Sequence, residues 1–252
     1  MKITLVGYGR MGHAIEAIAL ERGHEISARV DLDDEPDYEG RTAGDVAIEF
    51  THAEAVVENV RRIAAAGMDL VVGTTGWYGR LDEVRATVER AGTGLVYAPN
   101  FSVGVHVLFR VAAHLGRLVG RLDEYDVHVQ EAHHRHKVDH PSGTACYLAE
   151  LLVDSIGGKE RWAEGPPEGA ADPGTLWVST IRAGEVPGTH VVAAEGPDDR
   201  IELRHEARGR AGFARGAVAA AEWIRGRSGV FTVDDMLADL FGEATPEMQD
   251  DR

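Results

Sequence analysis

Residues 3–12, ITLVGYGRMG, decide the fold that we predict for this chain. Four aliphatic or β-branched residues indicate a short strand, and the glycines after it fit G-x-G-x-x-G at the start of a helical periodicity. In such a turn Gly7 permits the tight bend, Gly9 lets the backbone approach a pyrophosphate, and Gly12 lets the helix pack on the strand. The free N–H groups of the helix N-terminus favour a phosphate. The stretch therefore predicts dinucleotide binding through Gly7, Tyr8, Gly9, Arg10, Met11 and Gly12.

Strand and helix patterns alternate through the first hundred residues. After the glycine turn, helical spacing is predicted over residues 10–22, 53–66 and 81–91, and strands over residues 25–30, 45–50, 69–72 and 95–98. Alternation of this kind is typical of a parallel sheet with right-handed crossovers. We therefore predict an α/β fold, a Rossmann-like doubly wound parallel sheet.

Three further segments follow predicted strands, at the sheet edge where open α/β folds bind ligands. Asp31 is placed to accept a hydrogen bond from a ribose hydroxyl, and the acidic residues Asp33, Asp34 and Glu35 near it disfavour a 2′-phosphate. NADH is therefore favoured over NADPH. The other predicted cofactor contacts, which ordinary turns would also explain, are Gly73, Thr74, Thr75, Ala98, Pro99, Asn100 and Phe101.

The pattern changes after Ser102. Helices are predicted at 103–119 and 142–155, a strand at 124–131, a surface loop at 159–174, and antiparallel strands at 176–182, 188–194 and 200–207. Helical patterns at 213–225 and 233–240 end the chain. We predict a dinucleotide-binding domain of residues 1–102 and 213–252, and an α+β domain of residues 103–212 inserted into it.

Composition narrows the classes of function. The 252 residues carry 26 Lys and Arg against 42 Asp and Glu, a net charge of −16, which disfavours nucleic acid and anionic membranes as partners. The single cysteine, Cys146, excludes an intrachain disulfide, and no apolar run reaches the roughly 20 residues of a membrane span. We expect a cytoplasmic location.

The densest chemistry lies in residues 131–145, EAHHRHKVDHPSGTA. Four histidines, a lysine and an arginine here predict a local positive island for an anionic substrate. Imidazoles can give or take a proton near neutral pH, and lysine supplies a compact charge. Ser142, Gly143 and Thr144 follow a proline and open a helix whose N–H groups can hold a carboxylate.

Other readings of this stretch compete with catalysis. Histidine pairs can bind metal, but the run lacks the helical HExxH spacing, and we predict no metal site. The alternative that this stretch is a solvent-exposed charged loop without a catalytic role is also compatible with the sequence. A nucleic-acid patch is disfavoured because no aromatic residues interleave the run.

Taken together, the motifs resemble those of the 4-hydroxy-tetrahydrodipicolinate reductase family, also called dihydrodipicolinate reductase. The resemblance covers nearly the whole chain. It is carried by EAHHRHKVDHPSGTA together with GYGRMG, VVGTTGW, APNFSVGV, TIRAGEVPGTH and RAGFARGAV in this order.

The resemblance implies roles for individual residues. His133 and Lys137 would be proton donors, His134 would contact substrate, and Gly143 and Thr144 would hold a substrate carboxylate. It further implies NADH or NADPH as cofactor, a cyclic imine dicarboxylate as substrate, a place in diaminopimelate and lysine biosynthesis, and a homotetramer.

Two positions depart from the family pattern. The glycine turn is one residue shorter than in many members, and His140 stands where the family commonly has alanine. A solvent-facing His140 is the plainer interpretation, and a titratable group that sharpens pH dependence is the other. Alternatives for the whole chain are a related NAD-dependent imine or keto-acid reductase, or a non-catalytic NADH-binding sensor.

Overall fold

The computed structural model describes residues 1–31, 34 and 44–242. The strands, in chain order, are β1 Lys2–Val6, β2 Glu25–Val30, β3 Val46–Glu49, β4 Asp69–Val72, β5 Gly94–Tyr97, β6 Asp126–His133, β7 Arg161–Glu164, β8 Thr175–Arg182, β9 Thr189–Glu195, β10 Arg200–Glu206 and β11 Gly229–Thr232. The helices are α1 Arg10–Glu21, α2 Ala53–Ala65, α3 Leu81–Ala91, α4 Val103–Val119, α5 Gly143–Ser155, α6 Ala211–Ile224 and α7 Val233–Phe241.

The chain divides into two compact units. Unit 1 comprises Met1–Val103 and the chain from Arg210 onward, and unit 2 comprises Gly104–Gly209. Unit 1 therefore takes its residues from both ends of the chain.

Unit 1 is built on a six-stranded sheet in the order β11-β5-β4-β3-β1-β2, and all of its paired strands are parallel. Helices α1, α2 and α3 join β1 to β2, β3 to β4 and β4 to β5, as the alternation of patterns predicts, and the predicted Rossmann-like class is confirmed. β1 lies between β2 and β3, so the strand order reverses at β1. Such a switch point opens a crevice at the carboxyl ends of the strands.

Two apolar layers hold this sheet. One contains Ile3, Leu5 and Ile48 with the alanine-rich face of α6, and the other contains Val56, Val60 and neighbours on α2 and α3. Because buried parallel strands need helices on both faces, α6 completes a layer that the first hundred residues cannot supply alone. β11 is a further addition at the sheet edge and was not predicted, since a four-residue strand opening on glycine lacks a detectable alternation.

Unit 2 contains a mixed five-stranded sheet in the order β10-β9-β6-β8-β7. The antiparallel prediction for β8 is wrong: β8 runs parallel to both β6 and β7. It holds for β9 and β10, which pair with each other through a hairpin closed by Asp198-Asp199. Alternation of apolar residues reports which face of a strand is buried, and it carries no information on the direction of the neighbouring strand.

The segment predicted as a surface loop, residues 159–174, contains the edge strand β7. The sequence does not predict β7, because glycine, proline and acidic residues surround it and because only Trp162 of its four residues packs against the apolar core. β6 also ends later than predicted, at His133. Its neighbour α5 begins at Gly143, with Ser142 as the N-cap residue.

Helices α4 and α5 cover one face of the mixed sheet. Their buried residues, among them Leu108, Leu148 and Leu152, form one core with Val129 and Val178 of the central strands. Among the described residues, no helix has both the length and the apolar character to cross a membrane.

Candidate active site

The three glycines of the turn after β1 differ in their surroundings. Gly7 has φ +91°, and a Cβ there would lie 2.1 Å from the carbonyl oxygen of Phe50. A Cβ on Gly12 would lie 2.5 Å from the oxygen of Gly7, whereas nothing lies within 4 Å of a Cβ built on Gly9. The close packing of the backbone therefore requires glycine at positions 7 and 12. Gly9 faces open space, which fits close approach of a ligand to the backbone.

Neighbouring side chains shape the outer side of this turn. The hydroxyl of Tyr8 contacts Glu16, which also pairs with Arg29. Because the guanidinium of Arg29 is bound in this way, it is not a spare cation for a 2′-phosphate. Arg10 and Met11 begin α1, and the side chain of Arg10 is exposed.

Asp31 follows β2, next to the glycine turn: the N–H of Gly7 donates to the carbonyl of Val30 at 2.9 Å. The backbone N–H of Asp31 donates to the carboxylate of Asp34 at 2.7 Å. Asp33 and Glu35, which also entered the argument for NADH, lie outside the described residues.

The loop after β4 is held from within. The Oγ1 of Thr74 accepts from the backbone N–H of Thr51 at 2.7 Å, and the indole of Trp77 donates to the carbonyl of Thr74 at 2.8 Å. Gly73 lies under the ring of Phe50, where a Cβ would approach within 2.1 Å. Thr75 is exposed, whereas Thr74 is buried.

The loop after β5 contains one exposed residue, Pro99, and two with structural contacts. The side-chain oxygen of Asn100 accepts from the N–H of Ser102 at 2.8 Å. Phe101 is buried beside Ala98 in the unit 1 core. Phe101 thus anchors the loop, and its ring is not a wall exposed to solvent.

In unit 2, the chemistry centres on a residue that received no role from the sequence, Glu131 on β6. Its side chain has no exposed surface. One oxygen, Oε1, accepts from the N–H of Ser142 at 3.0 Å and from Arg182 at 2.7 Å. The other, Oε2, accepts from the hydroxyl of Ser142 and faces the imidazoles of His133 at 3.2 Å and His190 at 3.6 Å.

These contacts decide the ionisation of Glu131. Burial by itself raises the pKa of a carboxyl group, but the donors around Glu131, from His133, His190, Ser142 and Arg182, outweigh burial and lower its pKa strongly. Glu131 is therefore a carboxylate throughout the neutral range.

His133 lies at the end of β6, with its ring 5.2 Å from that of His190. Its Nδ1 faces the carboxylate of Glu131, at an angle that is not that of a hydrogen bond. On the other side of the ring, a Cβ built on Gly188 would lie 3.1 Å from Nε2. The ring is thus enclosed between a carboxylate and a glycine backbone.

Lys137 does not carry a free positive charge. Its Nζ donates to both carboxylate oxygens of Asp139 at 2.8 Å, and this contact lowers the pKa of Asp139. With neutral imidazoles, Arg135 and Lys137 are balanced by Glu131 and Asp139. When Arg182 from β8, which pairs with Glu131, is counted as well, the site has three cations and two carboxylates, so most of the positive charge inferred from the sequence is held in ion pairs.

The remaining predicted substrate residues flank these pairs. His134 is half-buried, and its Nδ1 has no hydrogen-bond partner among the described residues. Gly143 is exposed at the first position of α5, with open space where a Cβ would lie. Thr144 follows it in the same turn.

His140 is exposed and takes no part in the Glu131 network. Its Nδ1 lies 3.2 Å from Glu164, whose carboxylate also accepts from Thr180 at 2.6 Å. It lines an open groove of about 660 Å³ that contains neither His133 nor Lys137. The groove is lined by His128, His140, Glu164, Gly165, Pro166, Pro167, Trp177, Ser179 and Thr180.

Glu131, His133 and His190 also have the chemistry of metal ligands, and their ligand atoms lie within 4.8 Å of one another. The carboxylate already has a guanidinium at 2.7 Å and two donors from Ser142. A cation would have to compete with Arg182 for it. The absence of a metal site stays a prediction.

Sequence reasoning missed Arg182, His190 and Glu131 because they meet only through the pairing of β6 with β8 and β9. Both motifs that contain them, TIRAGEVPGTH and EAHHRHK, carry the family resemblance. Each contains charged or titratable residues without an assigned role, and these residues were the signal in the sequence that could have pointed to them. In unit 1 the sequence also gave no role to Glu49, a buried carboxyl group at the end of β3 that contacts Thr51.

A Rossmann-like sheet with a glycine turn at its switch point, and a second unit in which two buried imidazoles lie against a buried carboxylate, are the architecture of a pyridine-nucleotide-dependent reductase. The description "Dihydrodipicolinate reductase, N-terminus" matches residues 1–101, and "Dihydrodipicolinate reductase, C-terminus" matches residues 104–237. The chain belongs to the dihydrodipicolinate reductase family, a family of oxidoreductases of lysine and diaminopimelate biosynthesis.

Individual relatives agree with this assignment. The chain is 38% identical over 241 residues, 96% of its length and 99% of the relative's, to a 4-hydroxy-tetrahydrodipicolinate reductase of Christiangramia forsetii. It is 42% identical over 197 residues to the protein of that name in Methanococcoides burtonii, covering 76% and 72% of the two chains.

Among solved structures, the fold is similar to that of a dipicolinate-bound dihydrodipicolinate reductase from Paenisporosarcina sp. TG-14. The TM-score is 0.73 at 20% identity, and the match covers 92% of this chain and 97% of the other. This likeness concerns the fold.

Proposed function

We propose that this protein reduces 4-hydroxy-tetrahydrodipicolinate to tetrahydrodipicolinate, with loss of water and oxidation of NADH or NADPH, in the diaminopimelate route of lysine biosynthesis. The observation that carries the proposal is the pairing of His133 with a buried carboxylate in a chain that matches the family from residue 1 to residue 237.

The cofactor would lie on unit 1, against the glycine turn and Asp31. The open space at Gly9 and the free N–H groups at the start of α1 fit a pyrophosphate. When bound, the nicotinamide supplies a hydride. Asp31 would accept from a ribose hydroxyl, while Thr75 and Asn100 would border the cofactor from the loops after β4 and β5.

His133 would supply the proton. Reduction of the conjugated imine leaves an electron-rich enamine, whose neighbouring carbon must be protonated, and an imidazolium held beside a carboxylate can donate near neutral pH. Lys137 would act with it, either by stabilising negative charge on the substrate or as a second donor. For this, Nζ must exchange Asp139 for a substrate carboxylate, which is a like-for-like replacement.

The two substrate carboxylates need donors in unit 2. The exposed N–H of Gly143 and the hydroxyl and N–H of Thr144 at the N-terminus of α5 would hold one carboxylate, as helix N-termini do. His134 would contact the same ligand. The dipicolinate bound to the solved relative is a dicarboxylate of this kind.

The finer cofactor preference is for NADH. Asp31 and Asp34 are acidic and would repel a 2′-phosphate, and the positive charge of Arg29 is already paired with Glu16. We further propose a cytoplasmic homotetramer. Exposed apolar residues of unit 2, such as Val107, Val111 and Ile181, are the support for self-association.

The test follows nicotinamide absorbance with the cyclic dicarboxylate generated in situ, using NADH and NADPH in turn. We expect His133→Gln and Lys137→Met to lower kcat by about 100-fold to 10,000-fold, the range of general acid catalysis, and to leave the Kd for NADH within about 2-fold. His140→Ala, which lies in the separate groove, is the matched control and keeps kcat. Full turnover in the first two variants would refute their assignment.

The same assay separates the alternatives. A reductase of another imine or keto acid would oxidise NADH with simple imines and ignore the cyclic dicarboxylate. A non-catalytic sensor would bind NADH without any substrate-dependent loss of absorbance. The intact set of His133, His134 and Lys137 favours the catalytic reading.

A further inference from the structure

Four separate segments of unit 2 converge on the carboxylate of Glu131. It lies on β6, Arg182 reaches it from β8, His190 from β9, and Ser142 from the N-terminus of α5. A buried carboxylate costs several kcal/mol unless it is fully paired, so a fold that keeps one here must gain something specific from it.

We propose that Glu131 is a positioning residue of the reduction: its carboxylate orients the ring of His133 as proton donor and fixes the N-terminus of α5 beside it. This inference rests on the proposed function, since it assigns Glu131 a part in that reaction.

The first group that Glu131 would position is the imidazole of His133. With Nδ1 of His133 3.2 Å from Oε2 of Glu131, a small rotation of the ring completes a hydrogen bond, after which Nδ1 carries its proton permanently. The transferable proton then belongs to Nε2, next to Gly188. A buried carboxylate behind an imidazole fixes its tautomer and stabilises the imidazolium, as carboxylates do in hydrolytic triads.

The second group that Glu131 would position is the N-terminus of α5. Ser142 caps this helix by accepting from the N–H of Ala145, and both its own N–H and its hydroxyl donate to Glu131. The next two residues, Gly143 and Thr144, are those proposed to hold a substrate carboxylate. One carboxylate therefore sets the distance between the proton donor and the substrate anchor.

Arg182 and His190 complete the surroundings of the pair. Arg182 donates to Glu131 and to the carbonyl of Asp139, the residue that holds Lys137. His190 lies against Glu131, the ring of His133 and the hydroxyl of Ser142. Beyond it on β10, His205 is the titratable neighbour of His190. The charged groups facing His133 are thus Glu131 from β6, Arg182 from β8 and His190 from β9.

The decisive variant is E131Q. Its amide oxygen can still accept from Ser142 and Arg182, so α5 stays in place, but the negative charge behind His133 is lost. We expect kcat to fall about 10-fold to 100-fold, KM for the dicarboxylate to stay within about 3-fold, and the basic limb of the kcat/KM profile to move down by about one pH unit. An unmoved basic limb would overturn the proposal, whatever happens to kcat.

E195Q is the matched control. Glu195 lies 3.3 Å from His128 on the same sheet, an exposed carboxylate–imidazole contact without a part in the proposed site. We expect its kcat and its pH profile to match those of the parent protein. A shift of the basic limb equal to that of E131Q would show a general effect of charge, and the proposal would fail.

A measurement on the unsubstituted protein covers the case in which E131Q does not fold. Nitrogen NMR of ¹⁵N-histidine-labelled protein, with the His133 signals assigned by their loss in His133→Gln, reports which ring nitrogen keeps its proton. A protonated Nδ1 in the neutral ring supports the proposal, and a bare Nδ1 overturns it. If the parent protein fails to reduce the dicarboxylate, the proposed function falls, and this readout still decides the Glu131–His133 contact by itself.

Discussion

Glu49 and Glu131 are both buried carboxyl groups, and their surroundings shift their pKa values in opposite directions. Burial dominates at Glu49 and raises its pKa, because the hydroxyls and amide near it are neutral donors. At Glu131 the surrounding donors include a guanidinium and two imidazoles, which outweigh burial and lower its pKa. The charged and imidazole partners of Glu131, which Glu49 lacks among the groups that shift its pKa, therefore account for the opposite direction at Glu131.

The raised pKa of Glu49 predicts a pH-dependent stability. A group whose pKa is higher in the folded state stabilises the fold at low pH and loses this contribution as pH rises through the folded-state pKa. Glu49→Gln has no such pH-dependent contribution. The free energy of unfolding of the variant, relative to that of the parent protein, should therefore increase as pH rises from about 4 to 8. Urea unfolding across this range measures it. A difference that stays constant with pH would contradict the prediction.

At the scale of elements, the turn between β1 and α1 separates what glycine does for the fold from what it does for a ligand. Gly12 meets the backbone of Gly7, whereas Gly9 meets nothing. Helix packing on the strand therefore depends on Gly12, and ligand approach depends on Gly9.

Two alanine substitutions test this division. Gly12→Ala should lower the free energy of unfolding by about 1–3 kcal/mol, the usual cost of overpacking. Gly9→Ala should lower it by less, about 0.5–1 kcal/mol because Gly9 is the N-cap residue of α1, yet weaken NADH binding about 10-fold or more, since its Cβ occupies the space of the pyrophosphate. Urea unfolding and fluorescence titration with NADH provide the two readouts. Equal stability losses in both variants would refute the division.

At the scale of the whole molecule, the sheet of unit 2 leaves apolar side chains exposed. Ile181 on β8 and Ile201 on β10 are exposed, and so are Val107 and Val111 on α4. Exposed apolar side chains such as these are available for contacts between subunits.

We expect light scattering of the purified protein to give a mass of four times 27.2 kDa at micromolar concentration. Ile201→Lys should shift the mass towards smaller species, because an ammonium cannot be buried unpaired in an apolar contact. Glu202→Lys on the same strand is the control for added charge. A parent protein that scatters as a single chain would refute the tetramer.

The sequence by itself determined the class of unit 1. The glycine pattern and the alternation of periods are local signals, and each element there buries the face that its own residues predict. The proton-donor roles of His133 and Lys137 came from a contiguous motif through its resemblance to the family, and they stay a prediction. Local patterns survive folding because backbone geometry and side-chain periodicity belong to each segment separately.

Only the tertiary structure decided the direction of β8, the edge strands β7 and β11, and the charge balance of the site. Strand direction depends on how the chain returns to the sheet, and no residue in the strand encodes it. The carboxylate of Glu131 is paired because Arg182 and His190 arrive from strands distant in sequence. Electrostatics depends on distances in space, and these exist only once the strands have paired around Glu131.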